Sequence, residues 1–339
     1  MNLQGCCNLV HVPSSVKYLK KLVHLNLRDC KKLNSIPRNI HLRSLRDLDL
    51  FCCLCLEEFS VISDTMENLS LEKTGIEEIS PSFGRLHKLV KLHLRFSSIS
   101  EIPNNVMGCL LSLKYITLSY TNIQSIHASI KISRLSYLDV DHCERLESLP
   151  HLPSSLTRLK ATGCTQLETV TSSTLGMISQ DWNEYINCEP YDYSELELLF
   201  GDCTKLDQEA LKNIEAQGKL AILRAAYLST RKRLEGGIHI NFDHFEEILL
   251  AGSEIPEWFS YRTTGSSITV ELCSEILYNH NFLGFALCSV ERDITMGVQC
   301  NVYFGNHLVH SQFYYRSYYC DGMTSSHDNV LTTAISIFS

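Results

Sequence analysis

A leucine-rich phrase recurs along the first half of the chain and limits its fold more than any other feature. The copies align on one apolar residue that closes a short core, and these residues are Leu3, Leu27, Leu50, Leu71, Leu94, Leu118, Val140 and Ala161. The steps between them are 24, 23, 21, 23, 24, 22 and 21 residues. A unit of this size cannot bury its own apolar face, so the units must stack into a solenoid with one continuous core.

One copy shows how each unit is built. In the copy that runs from Leu19 to Pro37, apolar and polar residues alternate around Leu25 and Leu27, which is the period of a short strand. We expect both leucines to face the core, whereas Asn26 and Arg28 should face outward on the concave side.

A small side chain with an S–H or O–H group follows each core residue after three positions. These ladder residues are Cys30, Cys53, Thr74, Ser97, Thr121, Cys143 and Cys164. Such groups can meet backbone carbonyls where the chain turns out of the strand, because buried polar groups need partners. The period and the ladder together predict leucine-rich repeats with a parallel β concave face.

Composition narrows the class of protein. The net charge of −8 over 339 residues argues against a dedicated nucleic-acid binder, and no apolar run reaches the roughly 18 residues of a membrane span. The N-terminus lacks the basic and apolar regions of a signal peptide. Fifteen cysteines without framework spacing indicate free thiols in a reducing compartment. The sequence therefore predicts a cytoplasmic protein, with the nucleus as an additional expected location.

The chain divides into three predicted parts. Residues 1–173 hold about eight repeats, and residues 174–236 form an acidic and aromatic linker with an amphipathic helix capped by Thr204. Short aromatic-rich runs at 237–339 predict an all-β sandwich. The first repeat lacks its early leucines and no polar cap precedes it, so we expect a piece of a longer protein.

Two phrases carry a family resemblance. The segment Phe200–Ala210 (FGDCTKLDQEA) and the segment Ala251–Phe259 (AGSEIPEWF) resemble sequences that follow the repeats in plant intracellular immune receptors. Those receptors combine a TIR domain, a nucleotide-binding domain and leucine-rich repeats. The resemblance implies that 237–339 is their C-terminal jelly-roll or Ig-like domain. The tail from Asp321 departs from the pattern, so we expect the domain to be incomplete or altered at its end.

The sequence contains no motif that predicts catalysis, nucleotide binding or metal binding. The phosphate-binding phrase G-x-x-x-x-G-K-[S/T] is absent from the sequence, so the family's nucleotide switch and NAD-cleaving activity do not transfer to this chain. The cysteines at Cys52, Cys53 and Cys55 lack a second pair at zinc spacing. We expect no enzyme activity, no cofactor and no metal.

The concave columns are the candidate binding surface. Their charges fall in bands, and the candidate residues are Arg28, Asp49, Glu72, Lys91, His93, Arg95, Tyr115, Tyr137, Asp139, Asp141, Arg158 and Lys160. Solenoids commonly bind proteins on this face, although the same pattern fits a merely solvated sheet. The resemblance implies the ligand-sensing portion of a disease-resistance receptor, with a pathogen effector as partner and full-length receptor domains as partners in trans. The alternatives are a generic repeat scaffold or adaptor, and a non-signalling truncated receptor or decoy.

Overall fold

The computed structural model describes residues 1–38, 40–60, 62–128, 134–153, 156–171, 197–216, 247–249, 260–264, 284–290, 295–304, 307–317 and 332–338. It separates into two compact units, Met1–Ala251 and Gly252–Ser339. Most of the predicted linker at 174–236 lies outside the described residues. Within those ranges, no helix has the length and apolar character that crossing a membrane requires.

The first unit is built on a nine-stranded parallel sheet. The eleven strands of the first unit are β1 (His24–Asn26), β2 (Asp47–Asp49), β3 (Asn68–Ser70), β4 (Lys91–His93), β5 (Tyr115–Thr117), β6 (Tyr137–Asp139), β7 (Ser148–Leu149), β8 (Arg158–Lys160), β9 (Thr169–Val170), β10 (Glu197–Leu199) and β11 (Glu247–Leu249). The sheet order is β1-β2-β3-β4-β5-β6-β8-β10-β11, and β7 pairs with β9 in a small parallel sheet on its own. Each repeat from Leu27 to Ala161 therefore adds one strand to the same sheet, as the leucine period predicts, whereas β10 and β11 lie beyond that period.

The core is a stack of aligned strand centres. The paired central residues are Leu25, Leu48, Leu69, Leu92, Ile116, Leu138 and Leu159, and none of them is more than 2% exposed. Because strand side chains alternate between the two faces, this register buries every central residue and turns its two polar neighbours outward. The predicted solenoid is confirmed.

The ladder residues form hydrogen bonds of two kinds. The thiols donate to the preceding repeat, for example Cys53 Sγ to the carbonyl oxygen of Leu27 at 3.2 Å. The hydroxyls of Thr74 and Ser97 donate within their own repeat, to Leu71 and Leu94 at 2.8 and 2.7 Å. Burial raises the pKa of the Cys53 thiol to about 12, so the thiol stays protonated and able to donate.

A further repeat lies beyond the predicted end of the leucine register. Cys203 Sγ donates to the carbonyl oxygen of Ala161 at 3.0 Å, as a ladder cysteine does, and Phe200 is 1% exposed in the core. Asp202 has φ of 60°, the backbone form that recurs two residues after the core residue in the other repeats. The segment predicted to be a connector therefore supplies strand β10 to the sheet, after a step of 39 residues instead of the usual low twenties.

Short helices complete the first unit. Two 3₁₀ helices span Ser14–Tyr18 and Pro81–Arg85, α1 spans Asn104–Met107, and α2 covers residues 208–216. The predicted cap of α2 was wrong by three positions, because Asp207 Oδ1 accepts the Ala210 backbone N–H at 2.6 Å. Asp207 directly precedes the helix, so its carboxylate can accept hydrogen bonds from the backbone N–H groups of the first turn, which have no partner within the helix.

The second unit contains antiparallel strands. They are β12 (Tyr261–Thr264), β13 (Gly284–Val290), β14 (Thr295–Phe304), β15 (His307–Ser317) and β16 (Thr332–Phe338). Strand β16 lies between β12 and β13, and β14 pairs with β15. The tail thus contributes a central strand, although we expected this end of the domain to be incomplete or altered.

One detail differs from the predicted sandwich. The run at 248–250 was expected there, yet Glu247–Leu249 pairs with β10 in the parallel sheet. The predicted strands at 238–242 and 268–272 lie outside the described residues. The packing of the two sheets into a jelly roll stays a prediction.

Candidate functional site

The face of the parallel sheet that points away from the core carries the candidate residues. We call it the sheet face, and it is the predicted concave face. All twelve predicted residues lie on the strands from β2 to β8 or within two residues of a strand end. Their register across the strands brings the charged residues of neighbouring repeats into contact.

Many charges on this face are paired with each other. Arg28 Nη1 lies 3.0 Å from Asp49 Oδ2, and Lys160 Nζ lies 3.6 Å from Glu197 Oε1. Asp49 is on β2 and Arg28 follows β1, so each pair links adjacent repeats. The predicted charge bands are therefore partly neutralised inside the protein.

The ion pair with the most buried carboxylate lies at the centre of the sheet face. Arg95 Nη2 is 3.5 Å from Asp139 Oδ2, and Arg95 Nε donates to Ser119 Oγ at 3.1 Å. The Asp139 side chain is only 2% exposed, whereas that of Arg95 is 42% exposed. Since an unpaired buried carboxylate is costly, Arg95 has a structural role whatever else it does.

Burial also shifts the titration of neighbouring groups. It raises the pKa of the Glu72 and Asp141 carboxyls, and the nearby Asp139 carboxylate raises that of Asp141 further. Burial lowers the pKa of His93, with smaller contributions from Lys91 and Arg95. These three residues are half-buried, and together with Arg95 and Asp139 they form what we call the floor of the sheet face.

One edge of this floor carries a continuous stack that we call the outer row: Lys73, Phe96, Tyr120 and His142. Lys73 Nζ lies 4.9 Å from the Phe96 ring centroid. The Phe96 and Tyr120 rings stack at 4.6 Å, as do the Tyr120 and His142 rings. Phe96 and Tyr120 are each 46% exposed.

The backbone explains how the outer row forms. Each of its residues has a positive φ, between 52° and 58°, at the turn that leaves the strand. The turn repeats once per repeat, so the side chains lie one above another at the strand spacing. Beyond His142 the same turn holds Gly163, where a Cβ would lie 2.5 Å from His142 Nδ1. Glycine at 163 leaves room for the imidazole.

The opposite edge carries the inner row: Lys91, Tyr115 and Tyr137. Lys91 Nζ lies 5.2 Å from the Tyr115 ring centroid, and the Tyr115 and Tyr137 centroids are 6.2 Å apart. Tyr137 is half-buried and its hydroxyl donates to Asp139 Oδ2 at 3.5 Å. Both rows thus begin with a lysine that lies over the next ring, which is a favourable cation–π arrangement.

Sequence reasoning identified the inner row but missed the outer one. The predicted columns stopped one residue after the core leucine, whereas the outer row lies two residues after it. The signal is present in the sequence, since Phe96, Tyr120 and His142 recur at that position in three consecutive repeats. No group of three or more metal-ligating side chains occurs among the residues that the structure describes.

Comparison with known proteins agrees with this architecture. The family model described as "Leucine rich repeat" matches residues 87–144, and the "C-JID domain" model matches residues 250–336. The C-JID match extends through most of β16, so the expectation that the tail from Asp321 departs from the family pattern was wrong as far as residue 336.

Curated relatives come from Arabidopsis thaliana. The protein SUPPRESSOR OF npr1-1, CONSTITUTIVE 1 is 28% identical over 336 residues, covering 88% of this chain and 21% of the relative. The disease resistance protein RPS4 is 31% identical over 285 residues, covering 82% of this chain and 20% of the relative. The chain therefore spans about a fifth of the length of these relatives.

Among solved structures, the leucine-rich repeat domain of the type III effector XopL aligns with a TM-score of 0.39 and 20% identity, covering 50% of this chain and 69% of that one.

The repeats, the C-JID match and the relatives confirm the resemblance noted in the sequence. The chain corresponds to the leucine-rich-repeat and C-JID portion of plant disease resistance proteins of the TIR–nucleotide-binding–leucine-rich-repeat class.

Proposed function

We propose that this chain recognises a pathogen effector protein through its sheet face, as the sensing portion of a disease-resistance receptor in the cytoplasm. The observation that carries the proposal is the exposure of Phe96 and Tyr120 beside a floor whose central charges, Arg95 and Asp139, are paired with each other. Exposed aromatic side chains with little conformational freedom are frequent anchors of protein–protein interfaces.

The proposal is one of binding without catalysis. The ring edges offer apolar area, and the partly exposed charges around them favour specificity and association rate more than affinity. The C-JID domain would add a second contact on the same ligand, which raises the effective concentration of the first. Added ATP, ADP or NAD should not alter the affinity.

A binding screen tests the proposal. Secreted effector proteins of plant pathogens are purified singly, and each is measured by biolayer interferometry against the immobilised 339-residue chain. A true ligand should bind the parent and lose about tenfold in affinity to Tyr115→Ala. The matched control is Tyr18→Ala, because Tyr18 is 71% exposed on the first 3₁₀ helix, away from the sheet.

Two results would count against the proposal. Effectors that bind Tyr115→Ala and Tyr18→Ala equally well would place recognition elsewhere on the chain. If no effector binds, and host signalling proteins measured in the same way do bind, the alternative of a repeat scaffold or adaptor is favoured.

A further inference from the structure

We propose that the two rows flank a docking trough for an extended protein segment whose acidic residues meet Lys73 and Lys91. Apolar side chains of the same segment would lie along the rings beyond the two lysines. The inference rests on the proposed function, and it specifies the chemistry of the partner.

The charges of the trough favour an acidic partner. The carboxylates of Asp49, Asp139 and Glu197 are each held by a cation of the sheet face. Lys73 and Lys91 instead lie over aromatic rings, and no ion pair within the described part of the chain includes either of them. Two cations that the sheet face offers to a ligand therefore lie together at one end of the trough, and Arg158, beside Tyr137 at the other end of the inner row, also forms no ion pair in the described part of the chain.

The spacing of the rows fits an extended segment. Neighbouring parallel strands lie about 4.8 Å apart, so the four residues of the outer row span about 14 Å, which equals four to five residues of extended chain. Side chains of an extended segment point alternately to the two sides. Two successive acidic residues would therefore reach the lysine of the outer row and the lysine of the inner row.

The rings favour protein over single-stranded nucleic acid. In the outer row the Tyr120 ring is stacked between Phe96 and His142, so its two faces are not available to a base. Recognition of single strands relies on free aromatic faces and on a track of positive charge. The outer row offers ring edges and a single lysine, and ring edges suit aliphatic, proline and aromatic side chains.

A display experiment tests the inference with a defined probe. A phage library of random 12-residue peptides is selected against the whole chain, against Lys73→Glu/Lys91→Glu and against Lys73→Gln/Lys91→Gln. The control is Lys31→Glu/Lys32→Glu, which changes two exposed lysines outside the sheet face. Circular dichroism first establishes that the variants share the parent's melting curve.

We expect peptides selected on the parent and on the control to contain at least twice the Asp and Glu of the input library. The glutamine variant should lose this preference, and the glutamate variant should select Lys and Arg instead. Equal acidic content on parent and glutamate variant, or no enrichment on the parent, would overturn the inference.

Two further arms separate this inference from the proposed function. If peptides are selected without acidic excess and are lost on Phe96→Ala/Tyr115→Ala, the sheet face binds protein segments but the acidic chemistry is wrong. A fluorescent 20-nucleotide oligothymidine probe measures the competing ligand class. Tight binding of that probe, abolished by Lys73→Glu/Lys91→Glu, would assign the trough to nucleic acid and overturn the inference.

Discussion

The guanidinium of Arg95 lies 3.5 Å from the carboxylate of Asp139, two repeats further along the solenoid. Ser119 of the intervening repeat accepts a hydrogen bond from the same guanidinium, so three consecutive repeats are tied together across the sheet face. A residue that looks like a binding cation in the sequence is thus part of the structure that holds the face in register.

Arg95→Met should destabilise the chain by about 3 kcal/mol, because it leaves the Asp139 carboxylate buried without its cation. The double variant Arg95→Met/Asp139→Asn should recover part of that loss, since the buried charge is then absent. Urea unfolding followed by far-ultraviolet circular dichroism measures both. Equal stability of Arg95→Met and the parent would show that the pair does not hold the repeats.

Leu92→Ala should cost about 2–5 kcal/mol, the range for removing a buried leucine side chain from a packed core. Leu92 is 1% exposed between Leu69 and Ile116 in the central stack. Leu111→Ala is the matched control, because Leu111 is 52% exposed and its truncation should change the free energy of unfolding by less than about 0.5 kcal/mol. Similar costs for the two variants would contradict the repeat register.

Gly163→Ala and Gly5→Ala form a pair that separates backbone strain from steric contact. Both glycines have φ of 73°, and strain alone should cost about 1–2 kcal/mol at each. Only Gly163 faces a neighbour, His142, so Gly163→Ala should cost measurably more than Gly5→Ala in thermal unfolding. Adding His142→Ala should remove the excess. An excess that persists would mean that the imidazole is not what limits the space.

Acidification should weaken the fold through His93. Burial lowers the pKa of His93, so below its usual value of about 6.5 the unfolded chain takes up a proton that the folded chain refuses. The free energy of unfolding should fall by up to about 1.4 kcal/mol per pH unit in that window, until the lowered pKa is reached. His93→Gln should lose less stability than the parent between pH 7 and pH 5.5. The raised pKa values of Glu72 and Asp141 act in the opposite direction, and both variants share them.

The solenoid could be predicted in detail because its signal is local and repeated. Core leucines at a regular step predicted the stacked strand centres, and the small residues three positions later predicted the ladder. The repeat at Phe200 was missed because 39 residues separate it from Ala161, so the period gave no warning. Its ladder cysteine, Cys203, was the remaining signal.

The chemistry of the sheet face was harder to foresee. A charge in the sequence does not reveal its partner, and the pair between Arg95 and Asp139 depends on a register that crosses two repeats. The outer row depends on a backbone turn with positive φ, which aromatic residues adopt rarely, so the recurrence of Phe96, Tyr120 and His142 did not by itself indicate that their rings stack. Both features follow from contacts between repeats and not from any repeat alone.

The most direct measurement of the binding account compares two exposed apolar residues on the same solenoid. The dissociation constant of an effector identified in the screen is determined for the parent, for Phe96→Ala and for Leu111→Ala. Phe96 belongs to the outer row, whereas Leu111 precedes β5 and lies outside the sheet face. We predict a loss of about tenfold or more for Phe96→Ala and a change within about twofold for Leu111→Ala. Parent-like affinity of Phe96→Ala would contradict the account.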